Sequence, residues 1–183
     1  APALAVPGVE RVVRLPSYGV LGGADAALAV VGRSTWHALQ GAHALRIEAR
    51  GRIAGALDAA AIAHTLAATA RAGGGHAFYS RGDVDAALAG AARRVEALYE
   101  APYLAHATME PPNCTAQVAD GRITLWLPTQ VPGLARSVAA RVAGVAEDAV
   151  TVHSTYLGGG FGRRLEVDEV AQAVRVALEC GGR

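Results

Sequence analysis

Aromatic residues, cysteines and clusters of basic residues are scarce in this sequence. These scarcities argue against an aromatic core, a CxxC metal site and a nucleic-acid partner. Only 5% of the residues are aromatic although 52% are hydrophobic, so the core must be built from Val, Leu, Ile and Ala. The two cysteines, Cys114 and Cys180, fit no CxxC metal spacing, and we expect free thiols. A net charge of +1 without a basic block argues against nucleic acid as a partner. No apolar run reaches the ~20 residues of a membrane-spanning helix.

The two ends of the sequence give a further expectation. The chain begins at Ala1 without Met and stops at Arg183, just after a helical pattern. We therefore expect an internal piece of a longer chain.

Periodicity and capping signals predict mixed secondary structure in the first hundred residues. The predicted strands are 8–16, 26–31, 45–49, 76–79 and 93–100, and the predicted helices are 35–40, 58–70 and 84–90. Ser34, Asp58 and Asp83 are the predicted N-caps, because short polar side chains bond free amides of a first turn. The triple glycine 73–75 is predicted to end the second helix and to act as a linker.

The second half has a more regular pattern. Strands 114–118 and 122–126 flank Ala119-Asp120-Gly121, and an Asp-Gly pair is a strong hairpin signal. A helix is predicted over 131–143 with Leu134, Val138 and Val142 on its apolar face. A strand over 150–156 and a helix over 166–178 follow. The predicted fold class is α+β.

The most specific motif is the glycine-rich loop Gly158-Gly159-Gly160-Phe161-Gly162, followed by Arg163 and Arg164. Glycines let backbone N–H groups approach a ligand closely, and we expect at least one of them at positive φ. A helix start and two arginines suit an anionic or oxo-bearing ligand. The spacing fits neither GxGxxG nor GxxxxGK[ST]. By itself the loop could equally be a tight connecting turn.

A second motif, Trp126-Leu127-Pro128-Thr129-Gln130-Val131-Pro132, also joins a strand to a helix. The prolines stiffen it and would hold the Gln130 amide in place, where it can donate to an oxo group. The alternative is a plain helix start with Thr129 as N-cap. A right-handed crossover would place Gln130 and the glycine loop at one edge of the sheet, within about 15 Å of each other.

A third segment contains His106 and Glu110, four residues apart. A helical turn would place both on one face, but no third metal ligand is nearby. We therefore predict a His106–Glu110 hydrogen bond that holds a loop, and no metal site.

Together these segments resemble a known family. "YEAPYLAHATMEPPNCTA", "LWLPTQVPGLAR" and "LGGGFGRRLEVDEVAQAV" are similar to the first molybdenum-cofactor domain of the molybdenum hydroxylase large subunit. That family includes xanthine dehydrogenase and aldehyde oxidase, and the resemblance is to its isoquinoline 1-oxidoreductase beta-subunit type. It spans residues 83–183. Residues 7–50 resemble the preceding α/β hammerhead domain, which implies a partial hammerhead-like unit at 1–75 and a truncated cofactor domain at 76–183.

The resemblance implies roles for individual residues. Gly158, Gly159, Gly160, Phe161, Gly162 and Arg163 would bind a molybdopterin cofactor with molybdenum, in its cytosine dinucleotide form. Gln130 would be the catalytic amide that bonds a molybdenum oxygen. The longer protein would oxidise an N-heterocycle or an aldehyde with water as oxygen source. Its partner would be a small subunit with two [2Fe-2S] clusters.

The sequence also departs from the family pattern. Purine-oxidising branches often carry a Gly-Gly-Lys-Glu-like continuation after the Phe-Gly pair. Here the continuation is Arg163-Arg164-Leu165 with Glu166 displaced by one position, which weighs against purines. The family's general-base glutamate would lie beyond Arg183, so we expect the isolated chain to be inactive. The compartment is not fixed, although the resemblance favours the bacterial periplasm over the cytoplasm. The alternatives are a non-catalytic binding or interaction module that keeps the fold and, third, a generic nucleotide-binding domain.

Overall fold

The computed structural model describes residues 2–18, 26–48 and 58–181. Its strands are β1 Val9–Leu15, β2 Ala27–Gly32, β3 Thr115–Ala119, β4 Arg122–Leu127 and β5 Val150–Ser154. Its α-helices are α1 Thr35–His43, α2 Ala59–Ala72, α3 Val84–Ala89, α4 Pro132–Ala143 and α5 Asp168–Glu179. Helices and strands mix without strict alternation, which confirms the predicted α+β class.

Strands β1 and β2 form an antiparallel pair that bears helix α1. The Ser34 side chain accepts a hydrogen bond from the His37 amide, which confirms the predicted N-cap. The strand predicted over 45–49 is wrong for residues 45–48, which have no regular structure, and Ala49 lies outside the described residues. Alternation alone is insufficient there, because a strand also needs a neighbour to pair with.

Strands β3, β4 and β5 form a sheet in which β3 pairs antiparallel with β4 and β4 pairs parallel with β5. The predicted hairpin is confirmed, with Asp120 at φ 50° and Gly121 at φ 71°. Two successive positive φ angles are the signature of a type I′ turn. Helix α4 makes the crossover between the parallel strands, so the carboxyl ends of β4 and β5 lie at the same edge of the sheet.

The core lies between this sheet and helices α4 and α5. Alternate residues of β4 point into it: Ile123, Leu125 and Leu127 are 1% exposed or less. Of the apolar positions predicted on α4, Val138 is fully buried, whereas Leu134 and Val142 pack at its margin. Alanines fill the rest of the buried helix face. The described buried core residues are Ile123, Leu125, Leu127, Ala135, Val138, Ala139, Ala140, Val150, Val167, Val170, Ala171 and Val174.

Residues 48–105 form a unit separate from the one made by residues 1–47 and 106–183. The Asp58 and Asp83 carboxylates accept hydrogen bonds from the Ala61 and Ala86 amides, which confirms both caps. Gly73, at φ 69°, ends α2 as predicted. The predicted domain boundary at residue 75 stays a prediction.

Two strands predicted within that unit are wrong. Residues 76–79 and 93–100 have no regular structure, and their aromatic side chains are exposed: Phe78 is 96% and Tyr99 is 92% accessible. Their alternating patterns have no pairing partner among the described residues. Within 2–18, 26–48 and 58–181, no helix combines the length and the apolar character needed to cross a membrane.

Candidate functional site

The glycine-rich loop leaves the carboxyl end of β5 and leads through a 3₁₀ turn, Arg163–Leu165, into α5. Gly159 and Gly162 adopt φ 105° and 93°, and Phe161 adopts φ 53°. The predicted loop with glycines at positive φ is therefore confirmed. The Phe161 ring is 80% exposed and contributes nothing to the core. The loop is thus held by hydrogen bonds to its backbone rather than by packing of the Phe161 ring.

Four successive amides of this loop have no acceptor within the described part of the protein. They belong to Gly159, Gly160, Phe161 and Gly162, whereas the Gly158 amide donates to the Glu110 carboxylate at 2.9 Å. All four residues are partly or largely exposed. Backbone donors grouped in this way bind anionic or oxo groups, and the glycines keep side chains out of the approach.

Gln130 lies directly against this loop. A Cβ built on Gly160 would be 2.7 Å from the Gln130 Oε1 atom. The predicted proximity of Gln130 and the glycine loop is therefore confirmed. The Gln130 backbone amide donates to the Arg164 carbonyl at 3.1 Å, which fixes the residue at the strand end. Its side-chain amide has no protein partner among the described residues and is exposed.

Thr129 does not occupy the N-cap position of α4, because that position is Val131. The Thr129 hydroxyl accepts instead from the Val131 amide at 3.1 Å and lies 3.5 Å from the Arg164 carbonyl. Pro132 fills the first helical turn, where a missing N–H does no harm. The Gln130 backbone is thus held between the buried Thr129 hydroxyl and the start of α4 at Pro132.

The Arg164 side chain connects the glycine loop to two neighbouring segments of the chain. Its side chain is 1% exposed, and its guanidinium donates to the Gly159 carbonyl at 2.7 Å, to the Pro128 carbonyl at 3.4 Å and to the Glu110 carbonyl at 2.8 Å. It also pairs with the Glu110 carboxylate at 2.8 Å. One buried cation therefore fixes the glycine loop, the segment before Gln130 and the 106–113 segment together.

Glu110 is the counterpart of this cation. Besides Arg164 it accepts from the Gly158 amide and, at 3.0 Å, from the Asn113 side chain. The Gly158 hydrogen bond, followed by the Asn113 bond and the Arg164 charge, lowers the pKa of Glu110 from its ordinary 4.5. The predicted His106–Glu110 hydrogen bond is wrong, because residues 101–110 form no helical turn and the Glu110 carboxylate bonds Gly158 and Arg164 instead. His106 Nε2 lies instead about 4.0 Å from a Cβ built on Gly162.

The Glu110–Arg164 pair had no signal in the sequence. The two residues are 54 positions apart, and neither belongs to a periodic pattern.

The structure also gives both arginines of the motif protein partners. Arg163 forms a two-bond pair with Asp168, both at 2.9 Å, and lies 3.0 Å from Glu166. The role of Arg163 as a cofactor ligand stays a prediction, since its guanidinium faces the start of α5.

Comparison with known proteins identifies the family. The family described as molybdopterin cofactor-binding domain matches residues 68–183. The beta subunit of isoquinoline 1-oxidoreductase from Brevundimonas diminuta is 35% identical over 100 residues, which are 54% of this chain and 13% of that protein. The aldehyde oxidoreductase molybdenum-binding subunit of Escherichia coli K12 is 38% identical over 85 residues, 46% of this chain and 12% of that protein.

A further relative extends the likeness to most of the chain. A nicotinate dehydrogenase subunit of Pseudomonas putida is 27% identical over 169 residues, 92% of this chain and 13% of that protein. The chain thus spans only about an eighth of the length of these relatives. The glycine loop, the unpaired amides and Gln130 all lie within the matched residues 68–183. The chain belongs to the molybdopterin cofactor-binding domain family of molybdenum hydroxylase large subunits.

Proposed function

We propose that this chain supplies one wall of the molybdenum-cofactor site in a hydroxylase that oxidises an N-heterocycle or an aldehyde. The observation that supports it most is the row of unpaired loop amides with the Gln130 side chain beside it. These residues fit the group, because an oxo-bearing and phosphate-bearing ligand needs several donors and a surface without side chains. When bound, the molybdenum cofactor supplies the redox chemistry of hydroxylation, with water as oxygen source.

The residues of this chain have three tasks in that site. The amides of Gly159 to Gly162 donate hydrogen bonds and position the ligand. The Gln130 side-chain amide, on a backbone held by Thr129 and Pro132, would donate a hydrogen bond to the bound group or accept one from the substrate. Arg164 and Glu110 hold the loop in shape, so that the donors need no rearrangement when the ligand binds.

The finer assignments belong to the same proposal. The cofactor is the cytosine dinucleotide form, and electrons leave to a small subunit with two [2Fe-2S] clusters. The relatives whose names refer to isoquinoline, aldehyde and nicotinate support the substrate class. Arg163-Arg164-Leu165 in place of the pattern of purine-oxidising branches supports a non-purine substrate.

The test is Gln130→Ala in the complete gene product, with Gln117→Ala as matched control. Gln117 is an exposed glutamine on β3, paired in register with Thr124 of β4. Loss of one hydrogen bond in the reacting complex should lower kcat about tenfold with molybdenum content unchanged. Gln117→Ala should leave both unchanged. Normal turnover of Gln130→Ala would contradict the assigned role, and a complete gene product without molybdenum would favour the non-catalytic module.

A further inference from the structure

The segment 106–110 lies beside the glycine-rich loop and is anchored to it at one end. The Glu110 amide donates to the Gly158 carbonyl at 3.0 Å, and the Glu110 carboxylate accepts from the Gly158 amide at 2.9 Å. The buried Arg164 guanidinium donates to the Glu110 carbonyl and pairs with the Glu110 carboxylate, both at 2.8 Å. These contacts fix the position of Glu110 relative to the loop.

Two further residues of this segment lie against the loop. The Thr108 Cβ atom is 3.5 Å from a Cβ built on Gly159, and His106 Nε2 is 4.0 Å from a Cβ built on Gly162. Ala107, between them, adopts φ 46°, a left-handed conformation that residues with a side chain rarely adopt. Residues in this conformation cluster at ligand-binding sites. The segment is therefore bent sharply where it meets the far end of the loop.

The His106 side chain has no bonding partner within residues 2–18, 26–48 and 58–181. Neither of its ring nitrogens takes part in a hydrogen bond or an ion pair there, and the ring is exposed. Its polar neighbours in the segment are committed: the Thr108 hydroxyl donates to the Glu110 carbonyl at 2.7 Å, and the Glu110 carboxylate pairs with Arg164. His106 thus keeps its hydrogen-bonding groups free beside the loop.

The His106 ring is within reach of a group bound by the loop amides. The Gly162 amide is one of the four that have no acceptor in the described part of the chain. Because N and Cβ of one residue are about 2.5 Å apart, His106 Nε2 lies at most about 6.5 Å from the Gly162 nitrogen. Two N–H donors that each bond at about 2.9 Å can hold two oxygens of one oxyanion across such a distance.

We propose that His106 is a further ligand-binding residue of the cofactor site and donates a hydrogen bond from Nε2–H to an anionic oxygen of the bound group. This inference rests on the proposed function and deepens it. It adds a second polar side chain at the Gly162 end of the loop, whereas Gln130 lies at Gly160. Since Nδ1 bonds no residue that the structure describes, nothing there holds the ring in the tautomer that lacks Nε2–H.

His106→Phe in the complete gene product tests the proposal, with molybdenum content during dialysis as the measurement. Phenylalanine keeps a flat ring without the donor, so molybdenum should be lost at least about threefold faster. His106→Gln keeps an N–H donor and should recover most of the retention. His43, exposed in the last turn of α1, is the matched control, and His43→Phe should retain molybdenum as the unchanged protein does.

Modification of histidines by diethyl pyrocarbonate, located by mass spectrometry, gives a second readout that needs no variant. The reagent should modify His106 in the complete gene product made by cells that lack the molybdenum cofactor. The modification should be lost in the molybdenum-loaded protein, because the bound group covers the imidazole. His43 should react to the same extent in both proteins, which separates protection by the ligand from a change in the reagent.

Three results would overturn the assignment of His106. They are equal molybdenum retention by His106→Phe and the unchanged protein, equal losses from His106→Phe and His106→Gln, and equal modification of His106 with and without the cofactor. Each of them leaves the proposed function standing, because the unchanged protein still holds molybdenum. A complete gene product that never holds molybdenum would instead contradict the proposed function, and this inference with it.

Discussion

Arg164 holds more of the candidate site together than any other described side chain. Its guanidinium bonds three carbonyls and one carboxylate while almost fully buried. Arg164→Met should therefore lower the free energy of unfolding by about 1–3 kcal/mol, because the buried Pro128 carbonyl and the other carbonyl acceptors lose their donor. Urea unfolding would measure the change. Arg136→Met, at an exposed position of α4, should change stability by less than about 0.5 kcal/mol, and equal effects would contradict the role of Arg164.

The hydrogen bonds and ion pair by which Glu110 anchors the loop depend on pH. Its pKa in the folded protein lies below the ordinary 4.5, so its stabilising contribution is present above that value. The contribution is lost as the pH falls further, through the lowered pKa, because protonation removes acceptors for Gly158 and Arg164. The difference in unfolding free energy between the unchanged protein and Glu110→Gln should thus be constant above about pH 5 and should shrink below about pH 4. A difference that grows on acidification would refute this assignment.

At the scale of elements, turn chemistry explains why the β3–β4 hairpin could be predicted. Gly121 at φ 71° and Gly133 near the start of α4 both have open space where a Cβ would lie, and only Gly121 has a positive φ. Gly121→Ala should destabilise the protein by about 1–2 kcal/mol, since left-handed backbone disfavours a side chain. Gly133→Ala should stabilise it by about 0.5–1 kcal/mol through helix propensity. Thermal unfolding of the two variants would show opposite shifts in Tm, and shifts of the same sign would contradict the turn assignment.

The elements that the sequence predicted correctly carry their own local signals. Ser34, Asp58 and Asp83 cap helices within three residues, and Asp120-Gly121 sets its turn without help from distant residues. The strands predicted at 76–79 and 93–100 needed a distant pairing partner, which no local pattern reveals. The candidate site shows the same contrast between features with a local sequence signal and contacts between distant residues. The glycine loop and Gln130 stand out by local composition, whereas the Glu110–Arg164 pair joins residues far apart in the chain.

At the scale of the whole molecule, the glycine loop and Gln130 offer few hydrogen-bond donors to a large cofactor. Four loop amides and one glutamine give a handful of hydrogen bonds of about 0.5–1.5 kcal/mol each, against an association cost of ~4–15 kcal/mol. The 183-residue chain alone should therefore retain no molybdenum after purification, while the complete gene product retains it. Metal analysis of both proteins is the measurement. Stoichiometric molybdenum in the chain alone would show that these few donors suffice.

Gly160→Val in the complete gene product is the most direct test that the glycine loop holds the cofactor. Gly160 has no positive φ, and the atoms closest to an added Cβ belong to the flexible Gln130 side chain, so the variant should fold normally. The branched side chain would nevertheless occupy the surface beside the unpaired amides. We expect molybdenum content to fall at least about tenfold with an unchanged Tm, since a few kcal/mol of binding energy are lost. A Gly160→Val protein with normal molybdenum loading and normal turnover would contradict the account.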